Sequence, residues 1–121
     1  MTYKYVRLQG RELSYITQYP KGVFGVCWRM IYDGQMSKED EAVFRSVDDW
    51  FVKNLPEPPM CKTGDQKVVC WFKTDTTSEM MQRIEPALKI LEKYGHPYDA
   101  VYTNFVDNIV YEDEWQVAVQ V

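Results

Sequence analysis

Residues 67–103 place the tightest constraint on the fold. "KVVCWFK" at 67–73 is apolar on both sides of a two-residue alternation, Val68, Cys70 and Phe72 against Val69 and Trp71. A strand of that pattern is buried on both faces, which predicts a central place in a sheet. The period then changes. Met80, Met81, Ile84, Ala87, Leu88, Leu91 and Tyr94 fall at helical spacing and make one apolar stripe. Thr76-Thr77-Ser78-Glu79 has the form of a capping box, and Gly95, followed by Pro97, suits a left-handed stop. Pro86 lies inside the stripe and removes a backbone donor, which predicts a kink or short break near Glu85. "YDAVYT" at 98–103 returns to strand character. Strand, helix and strand in this order predict a βαβ unit with a right-handed crossover.

Upstream, Tyr3–Leu8 alternates weakly, Leu13–Tyr19 is its expected hairpin partner, and "YPKG" at 19–22 reads as a turn. "VFGVCWRMIY" at 23–32 is apolar at alternate positions on both faces and is read as an interior strand ended by "DG" at 33–34. Ser37 opens a helix, with Asp40 in the third position of a capping box and further acids in the first turn, where the helix dipole favours them. Val43, Phe44, Val47, Trp50, Phe51 and Leu55 form its stripe, and "PEPP" at 56–59 ends it.

The run "IVYEDEWQV" at 109–117 is too long for an ordinary strand and carries three consecutive acids. It predicts two strands, 109–111 and 115–120, turning at Glu112–Glu114, with Asp113 solvated and without a buried partner.

The 121 residues suit one domain spanning 1–121. No apolar run approaches the span of a bilayer and the start carries no apolar signal segment, so a cytoplasmic location without membrane contact is expected. Three cysteines, at 27, 61 and 70, form no CxxC pair, and one histidine is too few for a zinc site, so no metal and no cofactor is expected. Cys27 and Cys70 read as buried hydrophobes. Residues 1–35 carry five bases against two acids, whereas residues 94–121 carry five acids and neither Lys nor Arg. The bases are scattered and not a dense stripe, which argues against nucleic acid. The acidic end suits a protein partner with a basic surface.

No catalytic residue is assigned. His96 stands alone between Gly95 and Pro97, so no triad can be built on it. Cys61 in "PPMCKTGD" has Lys62 beside it, which lowers a thiol pKa and raises reactivity. "KTGD" lacks the spacing of a phosphate-cradling loop. Aromatic residues make up 15% of the chain, enough for a pocket or an interface besides the core. Trp28, Tyr98, Tyr102, Tyr111 and Trp115 are the candidates for a pocket taking a small apolar or cationic molecule, since ring faces attract cations. Glu112, Asp113 and Glu114 are the candidates for contact with a basic partner. The sheet face away from the helices needs a cover, for which the N-terminal hairpin, a second subunit or a ligand all qualify.

"NLPEPP", "CWFK", "LEKYGHP" after a proline-bearing helix, and "IVYEDEWQV" together resemble small hypothetical proteins of bacterial genomes and mobile, integron-type gene cassettes, over most of residues 45–121. That resemblance implies no activity. The expected fold is a single α+β domain with a mixed five- to six-stranded sheet, two helices, one βαβ unit and a C-terminal hairpin. The leading functional expectation is a non-enzymatic protein-binding domain, of inhibitor or immunity type, using an acidic, aromatic-rich surface. A small-molecule binder with an aromatic pocket is the second. An enzyme using Cys61 or a carboxylate is the third.

Overall fold

Strand β1 (Tyr5–Leu13) is the hub of the chain. In the computed structural model, which describes residues 3–15, 17–56 and 67–121 (side chains 76 and 77 excepted), it pairs with three other strands. The order continues with β2 (Pro20–Gly22), α1 (Val23–Tyr32), α2 (Lys38–Asn54), β3 (Val68–Lys73) and a 3₁₀ turn (Thr74–Thr76). Helix α3 (Thr77–Lys93), β4 (Tyr98–Thr103), β5 (Ile109–Glu112) and β6 (Gln116–Gln120) follow among the described residues.

Every strand pairing is antiparallel, so the sheet is not mixed as expected. β4 runs beside residues 5–10 of β1. β3 meets residues 5 and 6 and β2 meets residues 9 and 13, so these two must share the other edge of β1. Arg7 sits between them. Its Nη1 donates to the Cys70 carbonyl at 2.9 Å and its Nη2 to the Pro20 carbonyl at 2.8 Å, tying the two strands of that edge together. β6 pairs with β3, and β5 closes the far edge. β3 and β4 are therefore parallel to each other with β1 between them. The expected βαβ unit exists in split form, because β1 takes the place where the two strands would have met.

The largest correction concerns residues 23–32, which form helix α1 and not an interior strand. Val23, Val26, Cys27 and Met30 are its buried residues, at helical intervals. The "DG" at 33–34 is therefore a helix stop and not a strand end. Gly34 takes φ +69° and Gly95 after α3 takes φ +74°, conformations that residues with a Cβ adopt at a cost. Each closes a Schellman motif: Gln35 N–H donates to Met30 O at 2.9 Å, and His96 N–H to Leu91 O at 2.9 Å. With α1 added, the described residues form three helices where two were expected. β1 also runs through Gly10 to Leu13, so the hairpin partner is Pro20–Gly22 and not 13–19. At Gly10 β1 lies close against α1, since a Cβ there would be 2.8 Å from Val26 Cγ2. Of the expected kink or short break at Pro86, the break does not occur: helix α3 continues through that exposed residue.

Register assigns the faces. Val6 stands opposite Phe72, and Phe72 packs on Phe51 of α2, so Val6, Leu8 and Phe72 share the helix-covered face. The core there joins Leu8, Cys27, Met30, Phe44, Phe51, Met80, Ile84 and Leu91. Cys27 is fully buried, and desolvation pushes its thiol pKa up to about 12, leaving it neutral and inert. Val69, Val117 and Val119 point the other way, yet are only 3%, 0% and 6% exposed. The expectation that β3 is apolar on both faces and central holds, with β1 and β6 as its neighbours. Cys70, expected to be buried, is half-buried on β3.

The first turn of α2 is fastened to the end of α3. Ser37 Oγ accepts from Asp40 N–H at 3.1 Å, as the cap predicts. Asp40 does not reach back to Ser37 N–H. Tyr94 Oη accepts that bond at 3.0 Å and donates to Asp40 Oδ2 at 2.7 Å, while Lys93 Nζ reaches the same oxygen at 2.9 Å. Hydrogen bonds from Lys93 and Tyr94 lower the Asp40 pKa.

Candidate functional site

The ends of β1, β3 and β4 meet at one end of the sheet and frame a cleft of about 980 Å³. It is lined by Tyr3, Lys4, Tyr5, Lys73, Thr74, Asp75, Tyr102 and Asn104. Register builds it: Tyr5 stands opposite Lys73 on one side and Thr103 on the other. The backbone before β1 is clamped on both sides. Thr74 N–H donates to Lys4 O at 2.9 Å, the Thr74 hydroxyl donates to Tyr3 O, and Lys4 N–H donates to Asn104 Oδ1 at 3.1 Å. Tyr3 is thereby held against Tyr102, with ring centroids 5.9 Å apart and the planes tilted by 41°. The two residues remain 42% and 49% exposed.

The charges of this cleft are largely balanced. Lys73 Nζ lies 2.6 Å from Glu112 Oε2, and that hydrogen bond raises the lysine pKa. Lys4 and Asp75 are exposed and of opposite sign. The lining thus offers ring faces, a hydroxyl and an amide more than net charge.

Of the five aromatic candidates, Tyr102 alone lines this cleft. Trp28 is on α1, edge-on to Phe44 at 5.2 Å and stacked with Tyr32 at 6.1 Å, with the Arg45 guanidinium over its ring. Tyr98 packs on the helix-side core and its hydroxyl donates to Glu92 Oε1 at 2.8 Å. Tyr111 belongs to the C-terminal hairpin, and Trp115 is partly buried against the helix-side core. The structure does not gather these four around Tyr102. Tyr3, Lys4, Tyr5, Lys73, Thr74, Asp75 and Asn104 were missed. Their only local signal is the aromatic–basic alternation of "YKY" at 3–5, and strand register supplies the rest.

The hairpin of residues 109–120 turns where expected, but Asp113 is not solvated. It is half-buried and holds the turn. Its Oδ1 accepts from Trp115 N–H at 2.7 Å and Gln116 N–H at 3.0 Å, and its Oδ2 accepts from Tyr111 Oη at 2.8 Å and Gln116 Nε2 at 3.3 Å. The bond to Asp113 raises the Tyr111 pKa. Glu112 is the ion-pair partner of Lys73, and Glu114 is exposed. His96 contributes the backbone bond that closes the α3 stop. Cys61 and "KTGD" lie outside the described residues.

A second cleft, of about 680 Å³, runs along α2 between Phe24, Phe51, Leu55, Phe72 and Gln116, with Asp48 at its rim. Desolvation raises the Asp48 pKa. Among the described residues no group of three His, Cys, Asp or Glu side chains is placed to hold a metal ion, and no helix is long and apolar enough to cross a membrane. Comparison of the chain with protein-family models, with curated proteins and with solved structures gives no match.

Proposed function

We propose that the chain is a non-enzymatic binding protein whose tyrosine-lined cleft takes a small planar molecule. One observation carries this reading. Tyr3 and Tyr102 come from distant parts of the chain, are fixed by clamped backbone, and each remain close to half exposed as residues in the lining of a cleft. Rings held that way present apolar faces, inclined at 41° to each other, that are already ordered for contact with a ring, which cuts the entropy cost of binding. Asn104 and Thr74 set polar groups at the edge of that surface. Lys4 and Lys73 disfavour a cation despite the ring faces, and Glu112 with Asp75 offset an anion, so the ligand is an apolar or neutral ring with polar edges.

The alternative, a basic protein docking on Glu112, Asp113 and Glu114, draws less support because Glu112 and Asp113 are already engaged within the chain.

The test is a ligand-observed NMR screen with neutral, anionic and cationic planar heterocycles. Neutral rings are expected to bind, and Tyr102→Ala, at an exposed position, should weaken them by about tenfold with the fold unchanged by circular dichroism. Absence of binding across the panel, or equal binding by Tyr102→Ala, would refute the reading.

A further inference from the structure

The sheet has three strand edges among its described residues, and they are not treated alike. β2 has three residues and begins with Pro20, which has no amide proton to offer. β5 has four residues, with a register shift between Ile109 and Tyr111 that bends the strand and leaves Val110 out of the ladder. Both are ordinary devices against edge-to-edge pairing. β4 has neither. Six consecutive residues, Tyr98 to Thr103, pair with Gly10 to Tyr5 without any shift, and the strand holds no proline and no lysine. Its single charge, Asp99, is tied back to Arg11 of β1 at 3.3 Å. A straight, regular, nearly uncharged strand of this length is a template for another strand.

We infer that the outer edge of β4 is a homodimer interface, in which β4 of a second copy pairs antiparallel across a twofold axis and the two sheets become one. The chemistry of the strand selects its own copy. The pleat requires paired residues to share a face, so the sum of two paired residue numbers must be even. Pairing Ala100 with Ala100 then sets Asp99 opposite Val101 and Tyr98 opposite Tyr102, with no like charges facing each other. Ala100 is small and exposed, which lets the backbones approach at the axis. Tyr102, 49% exposed at the end of β4, gains an aromatic neighbour across the strand pair. The tyrosine wall of the cleft would thereby continue into the second copy.

Sedimentation of the whole chain tests this, with charges placed on the axis at the exposed Ala100. The parent protein should sediment as a dimer at about 100 µM. Ala100→Lys and Ala100→Glu should each weaken association by about tenfold or more, since like charges then face each other directly, while retaining the parent circular dichroism. An equal mixture of the two variants should recover dimers. A parent that stays monomeric, a dimer indifferent to either variant, or a mixture that does not recover would each overturn the inference.

Discussion

At the scale of single residues, Asp113 shows how a carboxylate in a turn differs from one in solvent. Three acids in a row read as a solvated bend, and the position of the bend is right. The pattern does not say which acid turns inward. In "EDEW" only the middle acid lies within reach of the two backbone N–H groups that follow, at Trp115 and Gln116, and also of the Tyr111 hydroxyl. That geometry belongs to the folded turn and is invisible in composition. Removing an ionised acceptor from half-buried donors costs about 1.5–3 kcal/mol. Asp113→Ala is therefore expected to lose about 2 kcal/mol in urea unfolding, and Asp113→Asn less, since its amide oxygen can still serve the two backbone donors. A loss for Asp113→Ala under about 0.5 kcal/mol would return the acid to solvent.

At the scale of elements, α2 and α3 were legible because stripe, cap and stop agree. Phe44, Val47 and Phe51 of α2 and Met80, Ile84, Ala87 and Leu91 of α3 are buried and fall on the stripes read from spacing, whereas Ile90 is buried off its stripe and Val43, on the α2 stripe, is exposed. Helix α1 was not legible, because ten residues that are mostly apolar satisfy both periods at once. Val26 and Met30 belong to the alternating set and to the helical set alike. The deciding feature was Asp33-Gly34, which has the same role after α1 that Gly95 has after α3. The cleft was less legible still, since its residues lie at or just beyond the ends of three strands whose registers no local pattern encodes. Pairing between helices hides in the same way: Tyr94 fell on the apolar stripe, yet its hydroxyl also joins Ser37 N–H to Asp40. Tyr94→Phe keeps the ring and removes both bonds. It should destabilise by about 1–2 kcal/mol in thermal or urea unfolding, whereas a neutral result would make the ring alone the contribution of Tyr94.

At the scale of the whole molecule, stability should be graded by how many strands flank each strand. β1 is paired on both sides and holds Val6 and Leu8, 2% and 5% exposed. β6 is paired on both sides, and its Val117 and Ala118 are fully buried. The amides of Val6, Leu8, Val117 and Ala118, in the flanked and buried parts of these strands, should exchange with deuterium only through global unfolding. β5 is different: it pairs with β6 alone, its ladder is shifted, and Ile109 and Val110 are 43% and 37% exposed. Its amides should exchange by local opening, much faster than those of β6 beside it. β4 sits between these cases and reports on association. If β4 pairs with a second copy, those of its amides that point away from β1 gain a partner only in the dimer. Their protection should then rise with protein concentration while that of β5 stays constant. Hydrogen exchange followed residue by residue at two concentrations reads both predictions at once. Slow exchange in β5 would show that edge to be covered, and β4 protection independent of concentration would leave its outer edge unpaired by a second copy.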